Sequence, residues 1–343
     1  MVDRSSRFHP PLRTPLLITG IAGVAGYNAL PYFRARYPGE VVGVRQQDNL
    51  RLVGSDIVAC DAEDLDGLKR LFDQHQFRSV LNCAGYCALK ACELDPDLAQ
   101  RINVDGVRNL LTVLGQDDVR LVHLSIDLVF SGERPGGYVE DDPVDPVTVY
   151  GKTMVVAEQL IAAARPEACI LRTSLPMGIS SNGHAGAIDW IQSRFKKQRP
   201  ATLYVDEFRT PTYTDCMSEL CETALVSDLA GLYHAGGPLR LSLYQIAQVI
   251  NRVGGYDPTL LKGIPRVEAG PMPPRAGDVS MNSDKLRQVL GYEPFHPWPF
   301  DEQLVPTHPE WHYDRPAGER GSKEWLAEVL YRNPLRQRAG ERS

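Results

Sequence analysis

An alternation of short apolar runs with helical stretches constrains this chain more than any other feature. The run LLI at residues 16–18 reads as a short buried strand, and a glycine-rich turn and a helical stretch to about Arg36 follow it. The unit then recurs, with strands at 41–44, 79–82 and 121–125 and helices at 65–74 and 98–114. A helix between two strands returns the chain to the end of the sheet where it began, so the strands it joins pair in parallel. The predicted fold class is α/β, built on a doubly wound parallel sheet.

Beyond about residue 175 the regularity fades. A helix is expected near 188–196, a turn-rich stretch at 206–214, proline clusters at 258–274, and a helix at 323–331 before a charged end. The expected division is a flexible tail at 1–14, a dinucleotide-binding domain at 15–174, a smaller lobe interleaved with late sheet elements at 175–295, and a C-terminal extension at 296–343. The chain has 343 residues, of which 43% are hydrophobic and 23% charged, enough to bury a core of this kind. A formal net charge of -6 gives no electrostatic reason to expect nucleic acid or an anionic membrane as partner. No apolar run of about 18 residues occurs, and the N-terminus carries prolines and charges where a signal peptide needs apolar residues, so a cytoplasmic protein is expected. The seven cysteines form no CxxC pair and no zinc spacing, which suits reduced thiols and no metal.

Directly after the first strand, residues 19–26 read TGIAGVAG. Three glycines so spaced permit a tight turn and the close approach of a pyrophosphate to a helix N-terminus, whose amides and dipole favour negative charge. A plain tight turn is the bland alternative, which the strand before and the helix after disfavour. The cofactor-binding residues expected here are Gly20, Ile21, Ala22, Gly23, Val24, Ala25 and Gly26. About 20 residues later, a fold that prefers NAD would show an acid for the ribose 2′-hydroxyl. Arg45 stands there instead, followed by Gln46 and Gln47. Arginine suits the 2′-phosphate of NADP(H), with NAD(H) the lesser alternative; a solvated surface arginine is the other reading.

Further motifs follow in order: LNCAGYCALKACELDP from residue 81, INVDGVRNL from 102, LSIDLVFSG from 124, YVEDDPVDPVTVYGKT from 138, LRTS from 171, RTPTYTD from 209 and PPRAGDVSMNSDKL from 273. In that order the chain resembles the extended short-chain dehydrogenase/reductases, most closely the dTDP-4-dehydrorhamnose reductase group, which also includes the regulatory beta subunit of methionine adenosyltransferase. The resemblance spans residues 15–295 and implies a Rossmann-type domain with a smaller C-terminal substrate lobe. It implies roles as well. Asp61, beside Ala62, would accept from the adenine amino group, unless it caps a helix. Backbone near Ala84, Gly85 and Tyr86 would line the cofactor. Asn103 would serve the cofactor too, or else brace the sheet as a buried amide. Tyr150 would be the acid that protonates a sugar carbonyl during hydride transfer.

Two positions depart from the family. Ile126 stands where members usually carry Thr or Ser, and Met154 where they usually carry Lys. The hydroxyl helps to orient the carbonyl, while the lysine lowers the tyrosine pKa and holds the nicotinamide ribose; neither Ile nor Met can donate a hydrogen bond. A cation about 5 Å from the phenol is worth about 3 kcal/mol at an effective dielectric of about 20. Lys152 is no substitute, since it lies about 200° around the helix from Tyr150, whereas position 154 shares the tyrosine's face. Ser125 and His123 are candidates to handle the proton, although along a strand they alternate with Ile126. In the second lobe Arg209, where glycine is common, and Arg275 are candidates to clamp a substrate pyrophosphate. Leu175-Pro176-Met177 occupies a place where an aromatic often packs on the sugar.

The function these residues imply is an NADP(H)-dependent reductase of a 4-keto nucleotide sugar with atypical catalytic residues. The alternative is a non-catalytic NADP(H)-binding regulatory or sensor protein. The expected partner is a small-molecule substrate, with a homodimer left open.

Overall fold

The computed structural model describes residues 11–315 and 321–335. The chain runs β1 (Leu16–Thr19), α1 (Val24–Arg36), β2 (Val41–Arg45), β3 (Ile57–Ala59), α2 (Leu65–His75) and β4 (Ser79–Asn82), then α3 (Leu89–Leu94), α4 (Pro96–Gln100), α5 (Gly106–Leu114) and β5 (Arg120–Ile126). It continues through α6 (Val149–Ala164), β6 (Cys169–Thr173), β7 (Pro176–Met177), α7 (Ala187–Lys196), β8 (Ala201–Tyr204), β9 (Phe208–Arg209), β10 (Thr212–Tyr213), α8 (Thr214–Val226) and β11 (Gly231–Ala235). The last elements are β12 (Leu241–Ser242), α9 (Leu243–Val253), β13 (Leu261–Ile264), α10 (Asp284–Leu290) and α11 (Lys323–Leu330).

Seven strands make one sheet in the order β11-β6-β5-β4-β1-β2-β3, and every pairing is parallel. The chain starts at the centre, winds outward through β2 and β3, and crosses back to β4. The order therefore reverses between β1 and β4, where a doubly wound sheet opens a crevice at the carboxyl ends of its strands. The strands are apolar on both faces because both faces are covered. Leu16 and Ile18 pack into one cluster with residues of α1 and α8, while Leu17 joins the other with residues of α2, α5 and α6. The smaller lobe pairs β8 with β13 in parallel and packs α9 on them and on α7.

Several expectations shift. The three-residue β3, at the sheet edge and only partly buried, was not expected, although Ile57-Val58-Ala59 is an apolar run. The helix expected at 98–114 is interrupted by a π-helical turn over Arg101–Asp105. The packed chain starts before residue 15: Leu12 is buried in the core, and the Ser79 hydroxyl donates to the Arg13 carbonyl. Residues 1–10, the rest of the expected tail, lie outside the described residues, as does the charged end from 336. The C-terminal segment is part of the main core, with Trp298, Leu304, Trp311, Leu326 and Leu330 all buried in the cluster that includes α8 and α9.

On the sheet, Arg172 of β6 grips Glu158 of α6 through two hydrogen bonds of 2.9 and 2.8 Å, both side chains buried. Removing one member of such a pair strands the other charge in a dry site, at a cost of about 3–5 kcal/mol. Arg172→Met is therefore expected to lower the urea unfolding free energy by about that amount, and Glu158→Leu in the same chain to recover most of it.

Candidate functional site

One groove runs along the carboxyl ends of β1, β2, β4 and β5. At one end it is lined by Arg45, Asp61, Ala62 and the glycine-rich turn. Gly23, Cys83, Ala84 and Gly85 are shared with a second cleft of about 510 Å³, which continues past Ile126, Tyr150 and Met154 to the smaller lobe.

The three glycines divide the work. Gly20 has φ +65°, and a Cβ there would stand 2.4 Å from the Cys83 carbonyl oxygen; a Cβ on Gly26 would stand 2.5 Å from the Gly20 carbonyl oxygen. Those two are required by the packing of turn, helix and strand. Gly23 is not, since its φ is -77° and an added Cβ would meet only the Gly20 carbonyl oxygen at 3.4 Å. Its missing side chain leaves open the wall of the groove at the N-terminus of α1, a helix with no side-chain cap and no acid in its first turn. That is a cradle for an anion at a helix N-terminus. Val24 and Ala25 also line the cleft. Ile21 is core, and the Ala22 carbonyl accepts from the Ser181 hydroxyl.

At the β2 end, Arg45 donates from Nε to the Leu52 carbonyl and from Nη1 to the carbonyls of Gln46 and Gln47. The guanidinium is thus held by its own loop, with Nη2 uncommitted among the described residues. Asp61 accepts from the Gln47 amide at 2.9 Å, which ties this loop to the groove. Capping α2 falls instead to Asp64, which accepts from the Gly67 amide. Asn103 stands behind the groove: its amide accepts from the Tyr86 amide at 2.6 Å and donates to the Thr153 hydroxyl at 2.9 Å. This corrects the expectation of a cofactor contact from Asn103, whose polar atoms are spent holding the Gly85–Tyr86 backbone to α6; Tyr86 likewise does not line the groove.

At the other end, Tyr150 and Met154 lie one turn apart on the buried face of α6, while Lys152 points to solvent. The tyrosine hydroxyl has no hydrogen-bond partner among the described residues. Burial holds its pKa well above the ordinary value, Cys87 and Asp127 push it the same way, and Arg209 pulls it back. The phenol therefore keeps its proton throughout the physiological range.

Two other proton-handling candidates are displaced. Ser125 borders the cleft, but its hydroxyl donates to Glu158 of the buried ion pair. His123 is fully buried and pairs with Asn82 through Nδ1 at 2.9 Å, and burial pushes its pKa down to about 4. Both side chains face away from Ile126, as alternation along β5 requires.

Across the cleft, sequence reading missed two acids. Asp127, one residue past Ile126, accepts from Ser174 at 2.6 Å and from Arg209 at 3.0 Å, while Glu207 accepts from Arg209 at 2.7 Å and from Arg275 at 2.8 Å. An acid in the apolar run SIDLVF was the available signal, because a buried carboxylate needs a partner. The pairing corrects the proposed clamp: Arg209 is sealed between two carboxylates, and only Arg275, partly open and lying 4.6 Å over the Tyr204 ring, keeps Nη1 uncommitted among the described residues. Two arginines facing two acids carry no net charge, so this cluster does not replace the lysine absent at position 154.

A family model described as the RmlD substrate binding domain matches residues 14–304. The chain belongs to that family. Among its relatives, the spore coat polysaccharide biosynthesis protein SpsK of Bacillus subtilis is 28% identical over 265 residues, covering 75% of this chain and 91% of SpsK. A dTDP-4-dehydrorhamnose reductase of Mycolicibacterium smegmatis is 27% identical over 287 residues, covering 82% of each chain. In structure, the dTDP-4-dehydrorhamnose reductase of Bacillus anthracis, solved in complex with NADP, is similar with a TM-score of 0.71 at 21% identity, covering 84% of this chain and 96% of the other. The UDP-glucose 4-epimerase of Thermus thermophilus, solved with NAD, also has a TM-score of 0.71, at 24% identity over 81% of this chain and 93% of the other. At those identities the likeness is one of fold, a Rossmann-type sheet that family members share with epimerases. No helix among the described residues is long and apolar enough to cross a membrane.

Proposed function

We propose that this chain is an NADP(H)-dependent reductase of a 4-keto nucleotide sugar whose proton-handling apparatus has been reduced to Tyr150. The observation that carries the reading is a protonated, unpartnered tyrosine hydroxyl at the end of a groove whose other end is a glycine-rich anion cradle. The residues present fit a dinucleotide: Gly23 leaves room for the pyrophosphate, Ala84 and Gly85 offer backbone along the groove, and Arg45 with Asp61 closes the adenosine end. NADP(H) bound there would supply the hydride. Tyr150 holds the proton that the carbonyl oxygen receives, Ile126 and Met154 wall the carbonyl from water without donating to it, and Arg275 faces the charged part of the substrate. The domain division follows, with the cofactor on the first lobe and the nucleotide sugar between it and the second. The absent hydroxyl and cation also support the second reading, a protein that binds NADP(H) and regulates a partner without turnover.

The cofactor half has its own test. NADPH is expected to bind more tightly than NADH, and Arg45→Ala to weaken NADPH binding about 10- to 150-fold through loss of a charge-assisted phosphate contact. Calorimetric titration measures both, and equal affinity of the wild type for the two cofactors would remove Arg45 from this role.

A further inference from the structure

One aromatic in the cleft is left over. Trp190 lies on α7, lines the cleft, and is 44% exposed. Among the described residues its ring meets no other ring or cation. A tryptophan exposed within a cleft offers a ligand a large, flat apolar face with a polar edge. The helix that presents it is fixed on its other faces. Ile188, Ile191 and Phe195 are buried in the core. Asp189 accepts from the Ser180 amide and hydroxyl and from Tyr331, and Gln192 donates to Tyr331 and accepts from Tyr256. The C-terminal segment, through Tyr331, thus pins the turn of α7 that carries Trp190.

The surroundings suit a nucleotide. The N-cap of α7 is Gly186, which also lines the cleft, but Asp189 already supplies a negative charge in the first turn, so the donor for phosphate in this cleft is Arg275 rather than the helix N-terminus. Tyr204 and Arg275 share the same cleft. The site thus offers a flat apolar face beside donors for phosphate, the two recognition elements of a base joined to a diphosphate. We infer that Trp190 is the platform on which the base of a nucleoside diphosphate stacks. This rests on the reading of the cleft as a nucleotide-sugar site.

Titration with dTDP, followed by calorimetry and by tryptophan emission, tests the inference. Trp298 and Trp311 are buried, and Trp325 of α11 is partly exposed, so the emission change is assigned to Trp190 by its loss in Trp190→Phe. Wild type is expected to bind dTDP with a change in emission, Trp190→Ala to bind it about 5- to 150-fold more weakly, and Trp190→Phe to recover most of the loss. Inorganic pyrophosphate, which has no base, is expected to bind wild type and Trp190→Ala alike, and NADPH binding serves as the check of folding. Unchanged dTDP affinity in Trp190→Ala, or a loss confined to NADPH, would overturn the inference while leaving the nucleotide-sugar reading intact. A wild type that binds NADPH but not dTDP would overturn that reading and the inference with it.

Discussion

Met154→Lys combined with Ile126→Thr is expected to raise NADPH-dependent turnover of dTDP-4-keto-6-deoxy sugars by roughly 10²- to 10⁴-fold, the usual worth of positioned proton transfer. Both residues line the same cleft as Tyr150, and Met154 lies one turn from it on the same buried face of α6. A lysine stem can follow the path of the methionine and present its amine to the cleft, where the charge would offset the burial that now holds the phenol pKa so high. Met154→Lys alone should gain less, because the carbonyl would still lack a hydroxyl partner. Tyr150→Phe in the double variant should erase the gain. Circular dichroism checks that the buried charge has not unfolded α6, and a gain that survives Tyr150→Phe would show that the proton comes from elsewhere.

Gly23→Val is expected to abolish NADPH binding and leave the fold in place. The backbone at Gly23 is ordinary extended chain, and the added Cβ meets one carbonyl oxygen at 3.4 Å. A branched side chain there would fill the space where a pyrophosphate must approach the α1 amides. Gly26→Val is the contrast, since its Cβ would collide with the Gly20 backbone, and it should lose stability as well as binding. Circular dichroism and calorimetric titration separate the two outcomes. A folded Gly23→Val chain that binds NADPH normally would move the anion cradle away from this turn.

The first half of the sheet was legible because a buried parallel strand shows itself as an apolar run bounded by turns, as at Leu16 and Ser79. The three-residue β3 carries the apolar run Ile57-Val58-Ala59, but no helix separates it from β2, so the strand–helix alternation did not point to it. The face of α6 was legible from helical angle alone: Tyr150 and Met154 are buried, and Lys152 is exposed. What was not legible was pairing across distance. Nothing local to Arg209 announces that Asp127, 82 residues earlier, and Glu207 neutralise it. Nothing local to Ser125 announces Glu158. Asn103 was read both as a cofactor contact and as a brace, and only the position of Tyr86 and Thr153 around its amide separates the two. Trp190 was passed over because a tryptophan within an amphipathic helix reads as core until its exposure is known.

The most direct measurement is the loss of NADPH absorbance in the presence of a dTDP-4-keto-6-deoxy sugar, with wild type and Tyr150→Phe compared under conditions where both are saturated with NADPH. The expected result is a slow, sugar-dependent loss in wild type that disappears in Tyr150→Phe. No sugar-dependent loss in wild type with NADPH bound, or a loss of equal rate in Tyr150→Phe, would contradict a reductase that works through this tyrosine.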